Sequence, residues 1–304
     1  MPLAVLTGPT ASGKTRLGLE LAEGWGAEIV SADSMQVYRR LDIGTAKPTA
    51  GERSRVAHHV LDLVEPDERF DAVRFCEAAD AAIAEIAARG RRVLVVGGTG
   101  LYLRILLFGL AELPPPDPER RRALEVEAER LGSGALHARL AGIDPVAAAR
   151  IHPADRFRIV RALEVAAVGR PISELQAAHR FAEPRYPHRV VALEVSREEL
   201  RVRILRRAEG MLAAGLLEEV RGVLEAGFTP ELRSLRSFGY REPVRAVLGR
   251  RPVEGLAEAI ALDTVRYAKR QGTWLRGERG VEWSIPGVGE VGSRLSEVWG
   301  GATE

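Results

Sequence analysis

Short apolar runs alternate with longer stretches of helical spacing through the N-terminal part of the chain. Leu3-Ala4-Val5-Leu6 reads as a buried strand, and the run after Thr15, with Leu17, Leu19 and Leu21 among charged and small residues, predicts a helix. Glu28-Ile29-Val30-Ser31 predicts a second strand ending at Asp33, and Val60-Leu61-Asp62-Leu63-Val64 a third. A helix is expected from Asp71 to Arg89, with Val73, Cys76, Ile83 and Ile86 on its apolar side. Arg92-Val93-Leu94-Val95-Val96 is the strongest strand signal, a continuous apolar run of the kind found in parallel strands covered on both faces. It ends at Gly97-Gly98-Thr99-Gly100, and Leu101-Tyr102-Leu103 opens another helix. Strand–helix alternation implies a parallel sheet with right-handed crossovers and ligands at the carboxyl ends of its strands. Three such ends then converge: the loop after the first strand, Ser31–Gln36 and Gly97–Gly100.

Leu113-Pro114-Pro115-Pro116-Asp117-Pro118 breaks the pattern, because prolines at this density cannot form a helix interior. From Glu119 to about Arg180 the chain reads as helical, with helices over Glu119–Leu131, Ser133–Ala141 and Asp155–Val168. Arg189–Val195 then reads as a strand returning to the sheet. Helices follow over Arg197–Ala213, Gly215–Ala226, Tyr240–Leu248 and Val253–Leu275. The fold class is α/β: a P-loop NTPase-like parallel sheet flanked by helices, with an all-helical insertion domain. Residues 1–116 and 186–304 form the expected core, and residues 117–185 the insertion.

With 304 residues and 46% hydrophobic content the chain is in the globular range. No stretch approaches the ~20 apolar residues of a membrane span, and the first strand leaves no room for a signal peptide. Cys76 is the single cysteine, which excludes an internal disulfide and a cysteine-based zinc site, and a cytoplasmic protein is the simplest reading. A net charge of +2 excludes a uniformly basic nucleic-acid binder. Lysine occurs only at Lys14, Lys47 and Lys269; arginine supplies nearly all the other positive charge.

Gly8-Pro9-Thr10-Ala11-Ser12-Gly13-Lys14-Thr15 matches the pattern G-x-x-x-x-G-K-[ST] between a strand and a helix. That arrangement aims backbone N–H groups and a helix N-terminus at one spot, which suits a polyphosphate. Lys14 adds a point charge, and the Thr15 hydroxyl can hold Mg²⁺. Many NTPases hold the metal with an acid at the end of a strand next to the P-loop strand. Here the strong strand ends in glycines and Thr99, and the available acid is Asp33. Asp33 is a candidate base for the nucleophile that meets the phosphate-bearing substrate, or a turn cap ahead of Ser34. The Thr99 hydroxyl could donate to a phosphate or a base edge, or cap the helix from Leu101. His58-His59 lack a third ligand nearby and fit a structural or surface role. Asp42-Ile43-Gly44-Thr45-Ala46-Lys47-Pro48 is a polar loop carrying one of the three lysines.

On the last long helix, Leu262, Val265, Ala268, Gly272 and Leu275 make an apolar face. Arg266, Lys269, Thr273 and Arg276 line another, with Arg270 beside them and Tyr267, Gln271 and Trp274 flanking. The basic stripe is about 15 Å long at ~1.5 Å rise per residue. It suits a nucleic-acid backbone with aromatics nearby for stacking, or is an ordinary solvated face. Further basic clusters are Arg156, Arg158 and Arg161, and the segment Arg233–Arg241. Three clusters around a phosphate site favour a large polyanionic substrate.

Taken together these segments resemble the bacterial tRNA dimethylallyltransferase family. The matching stretches are Gly8–Thr15, Ser31–Tyr38, Asp42–Pro48, Val96–Tyr102, Arg158 with Arg161–Val165, Gly239-Tyr240 and Ala268–Arg276, in the family's order along nearly the whole chain. Two departures are Glu209, where many members carry Asp, and Phe238 before Gly239, where Ile is frequent; neither is expected to touch the chemistry. The resemblance implies transfer of a dimethylallyl group from dimethylallyl diphosphate to N6 of the adenosine just 3′ of a tRNA anticodon. It further implies a diphosphate held by Gly8, Thr10, Ala11, Ser12, Gly13, Lys14, Thr15, Arg203 and Arg207, with Mg²⁺ at Thr15. Asp33 would be the base and Thr99 a second catalytic group. By the same analogy Asp33, Ser34, Met35, Gln36 and Thr99 approach the anticodon stem-loop of the tRNA, with Arg121, Phe157, Arg158 and Arg161 of the insertion. Arg236, Gly239, Tyr240 and Arg241 are implied as well, with Lys269, Arg270, Gln271, Thr273, Trp274 and Arg276 of the last long helix. A monomer without membrane contact is expected. The alternatives are a P-loop small-molecule kinase using ATP, with Asp33 as base, and a nucleotide-dependent RNA-binding switch.

Overall fold

Apolar five-residue runs become strands here because both faces are covered. The computed structural model describes residues 1–111, 113–115, 117–179 and 183–300. Its elements open with β1 (Leu3–Thr7), α1 (Lys14–Trp25), β2 (Ala27–Ser31), α2 (Ala50–Arg55), β3 (His58–His59), α3 (Ala72–Ala88), β4 (Arg92–Val96) and α4 (Gly100–Phe108). Five helices follow: α5 (Pro118–Leu131), α6 (Ser133–Ile143), α7 (Pro145–Arg150), α8 (Arg156–Ala166) and α9 (Ile172–His179). The chain then runs through β5 (His188–Leu193), α10 (Arg197–Ala213), α11 (Leu216–Glu225), α12 (Arg241–Val247), α13 (Leu256–Arg276), β6 (Val281–Ser284) and α14 (Val288–Gly300).

The six strands form one sheet in the order β3-β2-β4-β1-β5-β6, and every pair is parallel. Register sets Ser31 beside Val96, Thr7 beside Ala192 and Leu193 beside Ser284, so the carboxyl ends share one edge of the sheet. One face is packed by Leu17, Leu21 and Ala22 of α1 and by Val291 and Leu295 of α14 against Leu6, Leu94 and Val191. Each fully buried aliphatic side chain of this kind contributes roughly 1.5–3 kcal/mol.

Two compact units result: Met1–Leu107 with the chain from Pro184 onward, and Phe108–Glu183. The second is a helical bundle around Leu124, Leu136, Leu140, Ile159 and Leu163. Asp117 and Asp144 cap α5 and α7 by accepting backbone N–H bonds ahead of a helical proline, a pairing that suits helix starts. Pro116 and Arg180 lie outside the described residues.

Three expectations are corrected. Val60–Val64 is not a strand: β3 is only His58–His59, Val60 and Asp62 adopt φ of 63° and 53°, and Val64 makes a single bridge to Tyr38. The cause is Asp62, whose carboxylate is drawn to Lys47 and Arg53 and turns the backbone out of strand geometry. In α3 the exposed Val73 is not on the buried side, which is carried by Phe75, Ala79, Ile83 and Ile86. In α13 Leu262 is likewise exposed, and Ile260, Thr264, Ala268 and Leu275 form the packed stripe.

Candidate active site

The loop between β1 and α1 supplies an anion cradle. Gly8 has φ 144°, and a Cβ there would lie 2.9 Å from Ser12 Oγ and 3.1 Å from Leu193 N, so only glycine lets the chain turn beneath β5. Ala11 (φ 66°) and Gly13 (φ 95°) are left-handed, which turns successive N–H groups toward the loop centre. Gly13 caps α1 without a side-chain hydrogen bond, leaving the first-turn N–H groups for an anion. Ser12 Oγ is buried without a hydrogen-bond partner among the described residues.

Positive charge is concentrated around this cradle. Among the described residues Lys14 Nζ donates to the Pro9 carbonyl alone, at 3.4 Å. Burial first, with the nearby Arg207 charge adding, holds the Lys14 ammonium down to about 8 despite the opposing pull of Asp33. Arg203 and Arg207 lie four apart on α10: Arg203 donates to Ser12 O of the phosphate loop at 3.2 Å, and Arg207 donates to Thr45 O of the Asp42–Pro48 segment at 3.4 Å. Burial also lowers the pKa of Arg207, with Asp33 opposing. A pocket of about 50 Å³ brings Lys14, Thr15, Asp33 and Arg207 together with Phe238. A wider cleft of about 910 Å³ shares Lys14, Thr15 and Arg207 and adds Arg203. In the small pocket two cations, Lys14 and Arg207, face the single carboxylate of Asp33, a balance that suits an anionic ligand.

Of the two roles open to Asp33 in the sequence, the structure shows the turn cap and leaves a second carboxylate oxygen facing the pocket. Its Oδ1 accepts the Met35 N–H at 2.8 Å, the turn cap. No hydrogen bond from the described residues reaches its other oxygen, and the residue lines the small pocket. Thr99 does not cap α4 with its hydroxyl, which instead accepts the Ser34 N–H at 3.0 Å and so ties the β4 loop to the β2 loop. Tyr267 lies against Thr99 and Gln271; burial first, then the Asp33 charge, pushes its phenol pKa up. Phe238 stacks on Tyr267 with ring centres 3.8 Å apart. Phe238 therefore belongs to the pocket wall, against the expectation that this departure lies away from the chemistry.

Gln271, expected to flank the basic stripe and approach the RNA, is buried. Its Oε1 accepts Thr10 N at 2.8 Å and Thr10 Oγ1 at 3.1 Å, and its Nε2 donates to Gly98 O at 2.8 Å. One amide thus joins the phosphate loop to the β4 loop that carries Thr99. Trp274 packs on Gly100, where a Cβ would lie 2.3 Å from the indole, and Arg104 stacks over its outer face at 4.9 Å. Lys269, Arg270, Thr273 and Arg276 are exposed, as the stripe requires.

Tyr240 is also corrected from a solvent-facing contact to a buried one, at 0% exposure. Its hydroxyl donates to Glu219 Oε1 at 2.6 Å and accepts the Gly44 N–H at 3.1 Å. The Asp42 and Ile43 N–H groups both reach Glu219 Oε2 at 2.8 Å. Gly239 (φ 92°) passes against Gly44, and the buried Gln36 amide donates to Ala46 O at 3.2 Å. Lys47 is a structural cation, sealed between Asp42 and Asp62. Glu219 escaped the sequence reading, since nothing near it in the chain marks a carboxylate that gathers three backbone N–H groups. Arg236 is exposed, and Arg241 pairs with Asp263 at 2.6 Å.

Within the helical unit, Arg121 and Arg161 hold the buried Glu164 at 2.7 and 3.0 Å. Burial alone would raise the Glu164 carboxyl, but these hydrogen bonds and the Asp117 N–H outweigh it and lower its pKa. Arg158 pairs with Asp155, and Phe157 is 73% exposed. His58 bonds the Val56 carbonyl and His59 bonds Glu28, so both histidines are structural. Among the described residues no group of three His, Cys, Asp or Glu side chains could hold a metal. A Mg²⁺ ion at Thr15 would therefore take its other oxygens from diphosphate and water, a donor set that suits this ion. Among the described residues no helix is long and apolar enough to cross a membrane.

The chain matches the IPP transferase family model over residues 36–278 and the isopentenyl transferase model over residues 1–64. The chain belongs to the tRNA dimethylallyltransferase family. The tRNA dimethylallyltransferase of Anaeromyxobacter dehalogenans is 56% identical over 94% of this chain and 95% of its own length. That of Geobacter metallireducens is 50% identical over 98% and 96%. Among solved structures, the tRNA isopentenylpyrophosphate transferase of Bacillus halodurans superposes with a TM-score of 0.71 at 34% identity, covering 98% of this chain and 96% of its own. A eukaryotic dimethylallyltransferase caught acting on tRNA gives a TM-score of 0.80 at 26% identity, covering 97% and 77%. Tyrosine, glutamine and carboxylate ties between remote segments thus frame the cleft of a dimethylallyltransferase-family protein.

Proposed function

We propose that this enzyme, working in the cytoplasm, transfers the dimethylallyl group of dimethylallyl diphosphate to N6 of the adenosine immediately 3′ of the anticodon in tRNA, releasing diphosphate. The observation that carries this reading is the pocket in which Asp33, with one carboxylate oxygen unbonded, adjoins Lys14, Thr15 and Arg207. In this scheme the cradle of Gly8, Thr10, Ala11, Ser12 and Gly13 and the cations Lys14, Arg203 and Arg207 grip the diphosphate as a leaving group. The C1–O bond breaks, the diphosphate takes the electron pair, and a C1–N6 bond forms. Adenine N6 is a weak nucleophile, since its lone pair is delocalised into the ring, and Asp33 accepts the proton it sheds. Fixed positive charge at the developing anion lowers the barrier without reorganisation. When bound, Mg²⁺ adds neutralising charge beside the departing diphosphate, with Thr15 as the protein group that would hold it.

Thr99, held by Ser34 N–H beside Tyr267, orients the acceptor base, and the Phe238–Tyr267 pair offers it a stacking face. The base must leave its stack to enter, at a cost of a few kcal/mol. Contacts of the RNA backbone with Arg236, Lys269, Arg270, Thr273 and Arg276 offset that cost. Kinship to enzymes named for transfer to tRNA favours this reading over a small-molecule kinase. Incubation with Mg²⁺, dimethylallyl diphosphate and unmodified tRNA tests it. Five-carbon transfer to RNA is expected; ATP turnover with a small acceptor, or RNA binding without product, would overturn it.

A further inference from the structure

A third cavity, of about 210 Å³, opens on the face of α13 that carries Lys269, Thr273 and Arg276. Its walls are apolar: Leu200 and Ile204 come from α10, Val265 and Ala268 from α13, and Trp283 from β6. Arg197, Arg201, Lys269 and Arg276 stand at its rim and are exposed. None of the four has an ion-paired carboxylate among the described residues, although Glu194 also lines the cavity. Arg276 instead lies over the Trp283 ring at 5.0 Å. Elsewhere on α10, Arg203 is tied to Glu199 at 2.5 Å.

An apolar slot with an aromatic wall and unpaired cations at its mouth matches a nucleotide, base inward and phosphate outward. The source of that nucleotide follows from what the slot omits. It shares Pro9 with the phosphate loop but none of Gly13, Lys14 and Thr15, so it does not open on the cradle that would take the phosphates of a free nucleotide. Its phosphate-binding groups are instead continuous with the exposed stripe of α13, which suits a strand running along the surface.

We propose that this cavity seats a second nucleotide of the bound RNA, one that leaves its stack and enters between α10 and α13. Its flanking phosphates then lie against Arg201, Lys269 and Arg276. The inference rests on RNA being the substrate and adds a contact surface on α10 and β6.

The test uses an anticodon stem-loop with 2-aminopurine placed at one loop position at a time. Binding to the wild-type chain is expected to change the fluorescence of one loop base besides the acceptor. Val265→Trp, which fills the slot, abolishes that second change and weakens RNA binding about tenfold, in line with the loss of one stacked base. Dimethylallyl diphosphate affinity is unaltered. Because Val265 is partly packed, the exposed double variant Arg197→Gln/Arg201→Gln provides a second arm, with the same second signal reduced and weaker RNA binding. An unchanged second signal and unchanged affinity in both variants would overturn the inference and leave the functional reading standing. Saturable binding of AMP in the slot, abolished by Val265→Trp while RNA binding persists, would also overturn it. Failure of the wild-type chain to bind any stem-loop would sink the functional reading and this inference together.

Discussion

Replacing Gln271 by methionine keeps the shape of the side chain and removes its polar end. The Thr10 N–H, 2.8 Å from the amide oxygen, and the Gly98 carbonyl, 2.8 Å from the amide nitrogen, would then face an apolar group. Both lie in the interior, where each unsatisfied group costs about 1–3 kcal/mol. Partial relaxation of the phosphate loop recovers some of this, so the loss of stability is about 2–4 kcal/mol. The same relaxation moves Thr10 relative to Thr99, separating the diphosphate grip from the acceptor. A drop of about 10- to 100-fold in kcat/KM follows, at 1.4 kcal/mol per tenfold. Urea denaturation and steady-state kinetics on tRNA measure the two effects. A variant with wild-type midpoint and wild-type kcat/KM would refute the idea that this one amide sets the spacing of the two loops.

Neutralising Arg270 and Arg276 together should flatten the dependence of log K for tRNA on log salt by about 1.4 in slope, taking roughly 0.7 per single-strand phosphate contact; an unaltered slope would reject the stripe as the RNA track. Lys14, held down to about 8 in the free protein, gains a diphosphate partner on binding and its pKa rises. Affinity for dimethylallyl diphosphate is then constant below pH 8 and weakens as pH climbs above it, and calorimetry in two buffers at mildly alkaline pH should register proton uptake; no uptake would contradict the assignment. Glu164 has a folded pKa below its ordinary value, so its contribution is complete above the unfolded pKa of about 4.3 and is lost as pH falls through the folded value. Hydrogen exchange in α8 should therefore accelerate on acidification more in the wild type than in Glu164→Gln, and equal pH profiles would show that the buried ion pair is inert.

The strands and the phosphate loop were legible because their signals are local: continuous apolar runs, and a fixed spacing of glycines ahead of a lysine and a threonine. Asp33 and Thr99 were legible by position, at the ends of such strands. What escaped were ties made across the chain. Gln271 reaches Thr10 over 261 residues and Glu219 reaches Asp42 over 177, and no window of sequence holds both partners. Val60–Val64 misled because Asp62 answers to Lys47, which lies 15 residues earlier. β6 went unseen because Val281-Glu282-Trp283-Ser284 is short and mostly half-buried, so no apolar run marks it.

The central claim is that a carboxylate beside the diphosphate cradle takes the proton from the attacking amine, and single-turnover transfer by Asp33→Asn measures this most directly. With tRNA and dimethylallyl diphosphate saturating, the rate should fall by about 10²–10⁴-fold while the Kd for tRNA stays near wild type. A single-turnover rate within a few-fold of wild type would show that the proton leaves by another route.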